Sequence, residues 1–123
     1  MLNKRALGNK GEERAEKYLI QNKYRILDRN FRSHFGEVDI IAKDRKDLVF
    51  IEVKLRRTDE FGLPIEAVTA LKQKRIIQSA LEYVKLKQLT GENIRFDVLV
   101  IGPEDSRIEI VKAAFSTDGF YTY

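Results

Sequence analysis

Two carboxylates and one amine stand at short spacing in the stretch 36–57, and this set of groups can handle phosphates and metal ions. Asp39 lies in a β-branched run, and Glu52 and Lys54 lie in a second such run that follows a charged patch. Two largely apolar runs around a short polar segment are typical of a β-hairpin. The sequence therefore predicts that both acids and the lysine are carried by two neighbouring strands.

The predicted hairpin register brings the two acids face to face. With a tip within residues 44–47, opposing residue numbers have a constant sum, and Asp39 lies opposite Glu52. Because side chains alternate along a strand, the two acids share one face with Glu37 and Lys54. The opposite, apolar face is predicted to consist of Val38, Ile40, Ala42, Val49, Ile51 and Val53.

Like charges that oppose each other across two strands are unfavourable. At about 4 Å, two unit charges repel by about 4 kcal/mol at the effective dielectric near a protein surface. A sequence that specifies only a fold gains nothing from this arrangement. A divalent cation such as Mg²⁺ would make it favourable, and an adjacent lysine would orient water or offset charge on a phosphate. The set suits metal-dependent hydrolysis of a phosphodiester.

The same residues resemble the core motif of the PD-(D/E)XK nucleases, with Asp39, a gap of about a dozen residues, and then Glu52-Val53-Lys54. Val38 stands where that motif often has a proline. More narrowly, the chain resembles the YraN-type predicted endonucleases, which are similar to archaeal Holliday junction resolvases. The segments that carry this resemblance are Gly8, Gly11-Glu12, Gly36-Glu37-Val38-Asp39, Phe50 to Lys54 with Arg56, and Lys72-Gln73.

This resemblance implies a restriction-endonuclease-like fold and a metal-dependent endonuclease that hydrolyses phosphodiester bonds in DNA, with branched or junction DNA as one implied substrate. The implied cofactor is Mg²⁺ or Mn²⁺. The implied metal contacts are Asp39, Glu52 and Val53. The implied catalytic residues are Glu12, Asp39, Glu52, Lys54 and Gln73.

Two of these residues also have interpretations of their own. Glu12 lies on the small and apolar stripe of a first helix, either as an N-terminal carboxylate favoured by the helix dipole or as a third acid beside the hairpin. Gln73 lies on the buried stripe of a second helix, near its start, where its amide could bind a phosphate or a metal-bound water. The lone His34 has no second histidine to pair with, which argues against a metal site.

Composition favours a polyanionic partner. Charged residues make up 34% of the chain, the formal net charge is +4 and the pI is about 9.3. Such a balance attracts phosphates without regard to sequence. The candidate nucleic-acid contacts are Arg56, Arg57, Lys72, Lys74 and Arg75. For the second helix, a merely solvated basic face stays an alternative, and the loop 58–64 is either a flap over nucleic acid or a plain connection.

The 123 residues predict a single domain that covers 1–123. The absence of cysteine fits a reducing compartment, and no apolar run approaches the ~20 residues that span a membrane. We therefore expect a soluble, cytoplasmic protein. Junction resolution would require two sites and hence a homodimer, for which the aromatic C-terminal end is one candidate contact.

Periodicity predicts an α/β sandwich in the order αβββαββ. A helix at 7–21 precedes a strand at 24–34 and the hairpin, and a second helix with Thr69 as its N-cap continues to about Leu86. The apolar run 94–101 is predicted to be a central strand, parallel to the second hairpin strand through a right-handed crossover. A last strand is predicted at 108–111, and Asp97 is predicted to pair with a nearby arginine or lysine.

Three functions remain open at this point. The first is the metal-dependent nuclease, and the second is a nucleic-acid-binding module whose nuclease site is silent. The third is a purely structural protein in which Arg56 or Lys54 neutralises the acids. Salt-sensitive DNA binding without cleavage would favour the second, and the absence of any metal-induced stabilisation would favour the third.

Overall fold

The computed structural model describes residues 4–56, 68–103 and 107–117, which form a five-stranded mixed sheet with one helix against each face. The elements are α1 (Lys4–Gln21), β1 (Arg25–Arg32), β2 (Glu37–Asp44), β3 (Asp47–Leu55), α2 (Ala70–Leu86), β4 (Asn93–Ile101) and β5 (Ile108–Phe115). This order confirms the predicted αβββαββ fold. Arg57, the loop 58–64 and the aromatic residues 120–123 lie outside the described residues.

The strands follow their chain order across the sheet, from β1 at one edge to β5 at the other. Neighbours are antiparallel except β3 and β4, which are parallel and are connected through α2. The predicted parallel pairing is thus confirmed, with Phe50 opposite Phe96. Among the described helices, none is long and apolar enough to cross a membrane.

The hairpin of β2 and β3 has the predicted register. Ile40 lies opposite Ile51, and Asp44 lies opposite Asp47, so the tip is Arg45-Lys46. Arg45 adopts a left-handed backbone conformation, with φ of 57°, which lets the chain reverse within two residues.

Two apolar clusters lie on opposite faces of the sheet, because successive residues of each buried strand point to opposite sides. The cluster under α1 contains Ala15, Leu19, Tyr24, Ile40, Ala42, Val49, Ile51, Leu99 and Ile101. The cluster under α2 includes Ile41, Phe50, Ile77, Tyr83 and Val98. Val38 belongs to this second cluster, so its assignment to the face of Ile40 was wrong.

Each helix docks through the side that its sequence predicts, with one exception. Gly11, Ala15 and Leu19 are buried along α1, and a Cβ on Gly11 would come within 2.7 Å of Leu55 Cδ2. In α2, the predicted N-cap Thr69 accepts a hydrogen bond from the Lys72 backbone N–H. The helical periodicity that places Gln73 on the buried stripe of α2 also predicts Leu81 there, but Leu81 is 44% exposed.

The strands β4 and β5 are held by a fully buried carboxylate. Asp97 pairs with Arg95 at 2.8 Å, as predicted, and it also accepts the Ala113 backbone N–H at 3.0 Å. Ala113 has φ of 52° at the irregularity in the β4–β5 register. Asp97 therefore satisfies the backbone N–H of a β-bulge. The strand β5 continues to Phe115, beyond the predicted end at residue 111.

Candidate functional site

Asp39 is fixed at the point where the hairpin strands stop pairing through their backbones. The backbone register extends from the tip to Ile40 and Ile51. At the next position, Asp39 Oδ2 accepts a hydrogen bond from the Val53 backbone N–H at 2.8 Å. The carboxylate thus takes the place that a backbone carbonyl would occupy in a continuing ladder. This bond holds the Asp39 side chain beside β3.

Glu52 lies on the α2 side of β3, two residues after the buried Phe50. Its side chain is only 6% exposed, and Glu52 Oε1 lies 2.7 Å from Lys72 Nζ. Burying an unpaired carboxylate is costly, so this ammonium neutralises a charge that the fold has removed from water. The lysine reaches the acid from the first turn of α2.

Both acids line one cavity of about 400 Å³ between the hairpin and the start of α2. They therefore lie on the same side of the sheet, as the register predicts. The residues that line the cavity are Gly36, Glu37, Asp39, Glu52, Thr69, Leu71, Lys72, Arg75 and Ile76. The cavity combines three acids with two bases.

The electrostatics of the cavity leave one acid poorly compensated. Burial and then the charge of Glu52 raise the pKa of Asp39 to about 7, although the Val53 N–H and Lys72 act in the opposite direction. Burial alone would lower the pKa of Lys72, but its hydrogen bond and charge interaction with Glu52 raise it. The ammonium is thus held in its charged form, whereas Asp39 resists ionisation.

The predicted Lys54 and Val53 are close to this cavity but do not line it. Lys54 is half-buried and, by strand alternation, shares the face of β3 that carries Glu52. The Val53 side chain packs against the cluster under α1, on the other face. Only the backbone of Val53 is therefore available on the side of the acids, and its N–H is already donated to Asp39.

The structure brings neither Glu12 nor Gln73 into the cavity lining. Glu12 is connected to the cavity by the Asn30 amide, which donates to Glu12 at 3.0 Å and to the lining residue Glu37 at 3.1 Å in the orientation that satisfies both carboxylates. Gln73 donates its amide to the Val68 carbonyl at 3.0 Å, in front of α2. In this structure, Glu12 is thus an indirect neighbour of the site, and Gln73 connects the start of α2 to the residue that precedes its N-cap.

The predicted nucleic-acid contacts separate into two groups. Lys72 and Arg75 line the cavity, and Lys74 is exposed on the same helix turn. Arg56 follows β3, where its backbone N–H donates to the Ile101 carbonyl at 2.8 Å. The second group is represented by Arg56, which follows the end of β3 four residues after Glu52, and Arg57 lies outside the described residues.

Two lining residues, Glu37 and Gly36, were not predicted to belong to the site. Strand alternation did place Glu37 on the face of Asp39 and Glu52, and this signal could have nominated it as a site residue. Gly36 belongs to a turn that is attached to α2 by the Ser33 and Ser79 hydroxyls, 2.6 Å apart. In the same turn, His34 Nδ1 lies 2.7 Å from Glu82 Oε1, so His34 joins two elements outside the cavity.

The donor set of the cavity suits a hard divalent cation. Asp39 and Glu52 offer carboxylate oxygens, the ligand type that Mg²⁺ and Mn²⁺ prefer, and Mg²⁺ is commonly held by only one or two carboxylates. Within residues 4–56, 68–103 and 107–117, no group of three or more His, Cys, Asp or Glu side chains is arranged around a common metal position. Any such ion would thus depend on water or substrate for its remaining ligands.

Comparison with known proteins shows that the chain is similar to members of one protein family. The profile of the "Uncharacterised protein family UPF0102" matches residues 11–101. A UPF0102 protein of Syntrophus aciditrophicus is 49% identical over 110 residues, which cover 88% of this chain and 87% of the relative. One of Geobacter sulfurreducens is 48% identical over 112 residues, which cover 89% and 88%. One of Clostridium acetobutylicum is 49% identical over 100 residues, which cover 81% of both chains.

Proposed function

We propose that this chain, which belongs to the uncharacterised protein family UPF0102, is a metal-dependent endonuclease that hydrolyses phosphodiester bonds in DNA. The observation that supports this most is the shared cavity of Asp39 and Glu52, in which the charge of Glu52 helps to raise the pKa of Asp39 to about 7. Two acids that repel each other destabilise a fold. A cation bound between them makes the same arrangement favourable, as in a metal site.

The proposed roles follow from the position of each group. Asp39 and Glu52 would hold Mg²⁺ or Mn²⁺, which when bound supplies positive charge to the phosphate and acidifies water. Lys72 and Arg75 line the same cavity and would bind phosphate oxygens of the nucleic acid. Lys54, beside the cavity on the Glu52 face, would stabilise charge that develops on the phosphate.

We further propose that the chain is a PD-(D/E)XK nuclease of the restriction-endonuclease-like type. Asp39, Glu52 and Lys54 match its motif in order, and the αβββαββ order with antiparallel β2 and β3 supplies the matching platform. On this proposal, branched or junction DNA is the substrate class, a homodimer would cut both strands, and the protein acts in the cytoplasm.

The test is cleavage of branched, flapped and single-stranded DNA with Mg²⁺ or Mn²⁺. We expect the wild-type chain to cut at least one of these substrates, and we expect Asp39→Ala and Lys54→Ala to abolish cutting. Glu13→Gln is the matched control, because Glu13 is an exposed acid on α1. Undiminished cleavage by the Asp39 and Lys54 variants would remove the assignment.

One observation favours the alternative of a nucleic-acid-binding module with a silent site. The Lys72 ammonium already neutralises Glu52 at 2.7 Å, so the cavity has an internal cation of its own. This alternative predicts salt-sensitive DNA binding that survives both EDTA and Asp39→Asn, with no cleavage of any substrate.

A further inference from the structure

The ion pair between Lys72 and Glu52 joins two very different side chains. The Glu52 side chain is 6% exposed, whereas the Lys72 side chain is 48% exposed. The acid is therefore fixed within the fold, and the ammonium reaches it from solvent. Because a buried carboxylate stays ionised only beside a counter-charge, a cation is needed next to Glu52 in every state in which Glu52 is charged. That cation need not be Lys72.

The chemistry of lysine makes this pair easy to break. Its ammonium is a compact charge on a flexible four-carbon stem, without the fixed fork with which arginine holds a carboxylate. In the same protein, Arg95 shows the fixed arrangement, since it contacts Asp97 through two nitrogens at 2.8 and 2.9 Å. The pair at the cavity instead depends on the one ammonium nitrogen of Lys72, which lies 2.7 Å from Glu52 Oε1.

A phosphate would find Lys72 in a suitable place. The residue belongs to the first turn of α2, where backbone N–H groups and the helix dipole favour anions. One helix turn later, Arg75 lines the same cavity and supplies a second positive charge. An ammonium released from Glu52 would thus remain near a position that attracts a phosphate oxygen.

We propose that Lys72 is an exchangeable counter-ion, which pairs with Glu52 when no divalent cation is bound and transfers to a phosphate oxygen of nucleic acid when a cation takes its place. This inference rests on the proposed function and deepens it. The metal ion and the nucleic acid then bind cooperatively, because each removes a competitor of the other. By linkage, the coupling has the same size in both directions.

Metal binding without nucleic acid is the direct test. Isothermal titration with Mn²⁺ compares the wild-type chain with Lys72→Gln, and Lys85→Gln is the control because it removes one charge from the last turn of the same helix. We expect Lys72→Gln to bind Mn²⁺ at least about tenfold more tightly, since the competing ammonium is gone, and Lys85→Gln to stay within about twofold of wild type.

The reciprocal measurement is the affinity for a short phosphodiester oligonucleotide. In EDTA, Lys72 is engaged with Glu52, so Lys72→Gln should change the affinity for the oligonucleotide by less than about twofold. With Ca²⁺ present, Lys72 is released, and the same substitution should weaken binding by about tenfold, the scale of one charge-assisted contact. An equal loss in both solutions would overturn the exchange.

The other outcomes separate the two proposals. Unchanged or weaker Mn²⁺ binding by Lys72→Gln would overturn the exchange while leaving the proposed function intact. If neither the wild-type chain nor any variant binds Mn²⁺, both proposals fail. If Lys72→Gln does not fold, Lys72→Arg is the test: its planar fork should hold Glu52 more firmly and weaken Mn²⁺ binding several-fold, and unchanged or tighter binding would overturn the exchange.

Discussion

Replacing Asp39 with asparagine tests the electrostatic basis of the site directly. The substitution keeps the shape of the side chain and an oxygen that accepts the Val53 N–H, which is bound at 2.8 Å. It removes the negative charge that shares a cavity with Glu52. Any change in stability therefore reports the cost of that charge and not a lost contact.

The size of the effect follows from the pKa of Asp39, which is raised from 3.8 to about 7. About three units at 1.36 kcal/mol each give about 4 kcal/mol, the same scale as two charges at about 4 Å near a surface. Because the folded state holds its proton up to about pH 7 and the unfolded chain loses it near pH 4, wild-type stability falls as the pH rises through this window. Asparagine has no such cost.

We therefore expect Asp39→Asn to increase the free energy of unfolding by about 2 to 4 kcal/mol at about pH 8, and to change it little at about pH 4. Urea denaturation in EDTA at both pH values measures this, with Glu13→Gln as an exposed-acid control. At pH 8, Mn²⁺ should stabilise the wild-type chain and leave the variant unchanged. A variant no more stable than wild type at pH 8 would refute the idea that burial and the charge of Glu52 make the Asp39 carboxylate unfavourable.

Three further substitutions test the surroundings of the site, and urea denaturation measures each. Asp97→Asn removes a fully buried partner of Arg95 and should cost about 3 kcal/mol, yet leave Mn²⁺ affinity unchanged; altered metal affinity would contradict the separation of the two faces. Gly36→Ala should cost about 1 to 3 kcal/mol, because Gly36 has φ of 151°, and a neutral result would show that the turn adapts. Ile77→Ala, in the fully buried cluster under α2, should cost about 2 to 5 kcal/mol, and a smaller loss would indicate a loosely packed helix.

The hairpin and its acids were predictable because the apolar alternation of two strands leaves one register that buries both runs. Ile40 opposite Ile51 then forces Asp39 toward Glu52. The position of Val38 was not predicted correctly. Regular alternation would place Val38 on the face of Ile40. The backbone pairing of β2 with β3 ends at Ile40, and beyond it the Asp39 carboxylate accepts the Val53 N–H in place of a backbone carbonyl. Val38 packs under α2 instead.

The partner of Glu52 was not predictable from spacing. Lys72 and Gln73 are adjacent in sequence, and one residue turns a helix by about 100°. The apolar stripe of α2 was compatible with Gln73 near the cavity, but in the structure the Gln73 amide donates to the Val68 carbonyl and Lys72 contacts Glu52. The rotation of a helix about its axis relative to a sheet depends on the packing of many side chains. In α2, Leu81 is exposed although it was predicted to be buried, and Tyr83 is buried in its place, so the buried side is rotated slightly from the predicted stripe.

The sheet carries a second group of acids, and its contrast with the first explains why only one of them is a candidate site. On the α1 face, Asp44 contacts Arg95 at 2.8 Å and Lys112 at 3.1 Å. Burial alone would raise the pKa of Asp44, but the hydrogen bonds from these two bases lower it. A cation added there would displace bonds that already satisfy the acids. On the α2 face, burial and Glu52 raise the pKa of Asp39, so an added cation would relieve an existing repulsion. Acidic residues thus stabilise the fold on the α1 face. On the α2 face they destabilise it, and a bound cation would recover that lost stability as binding free energy.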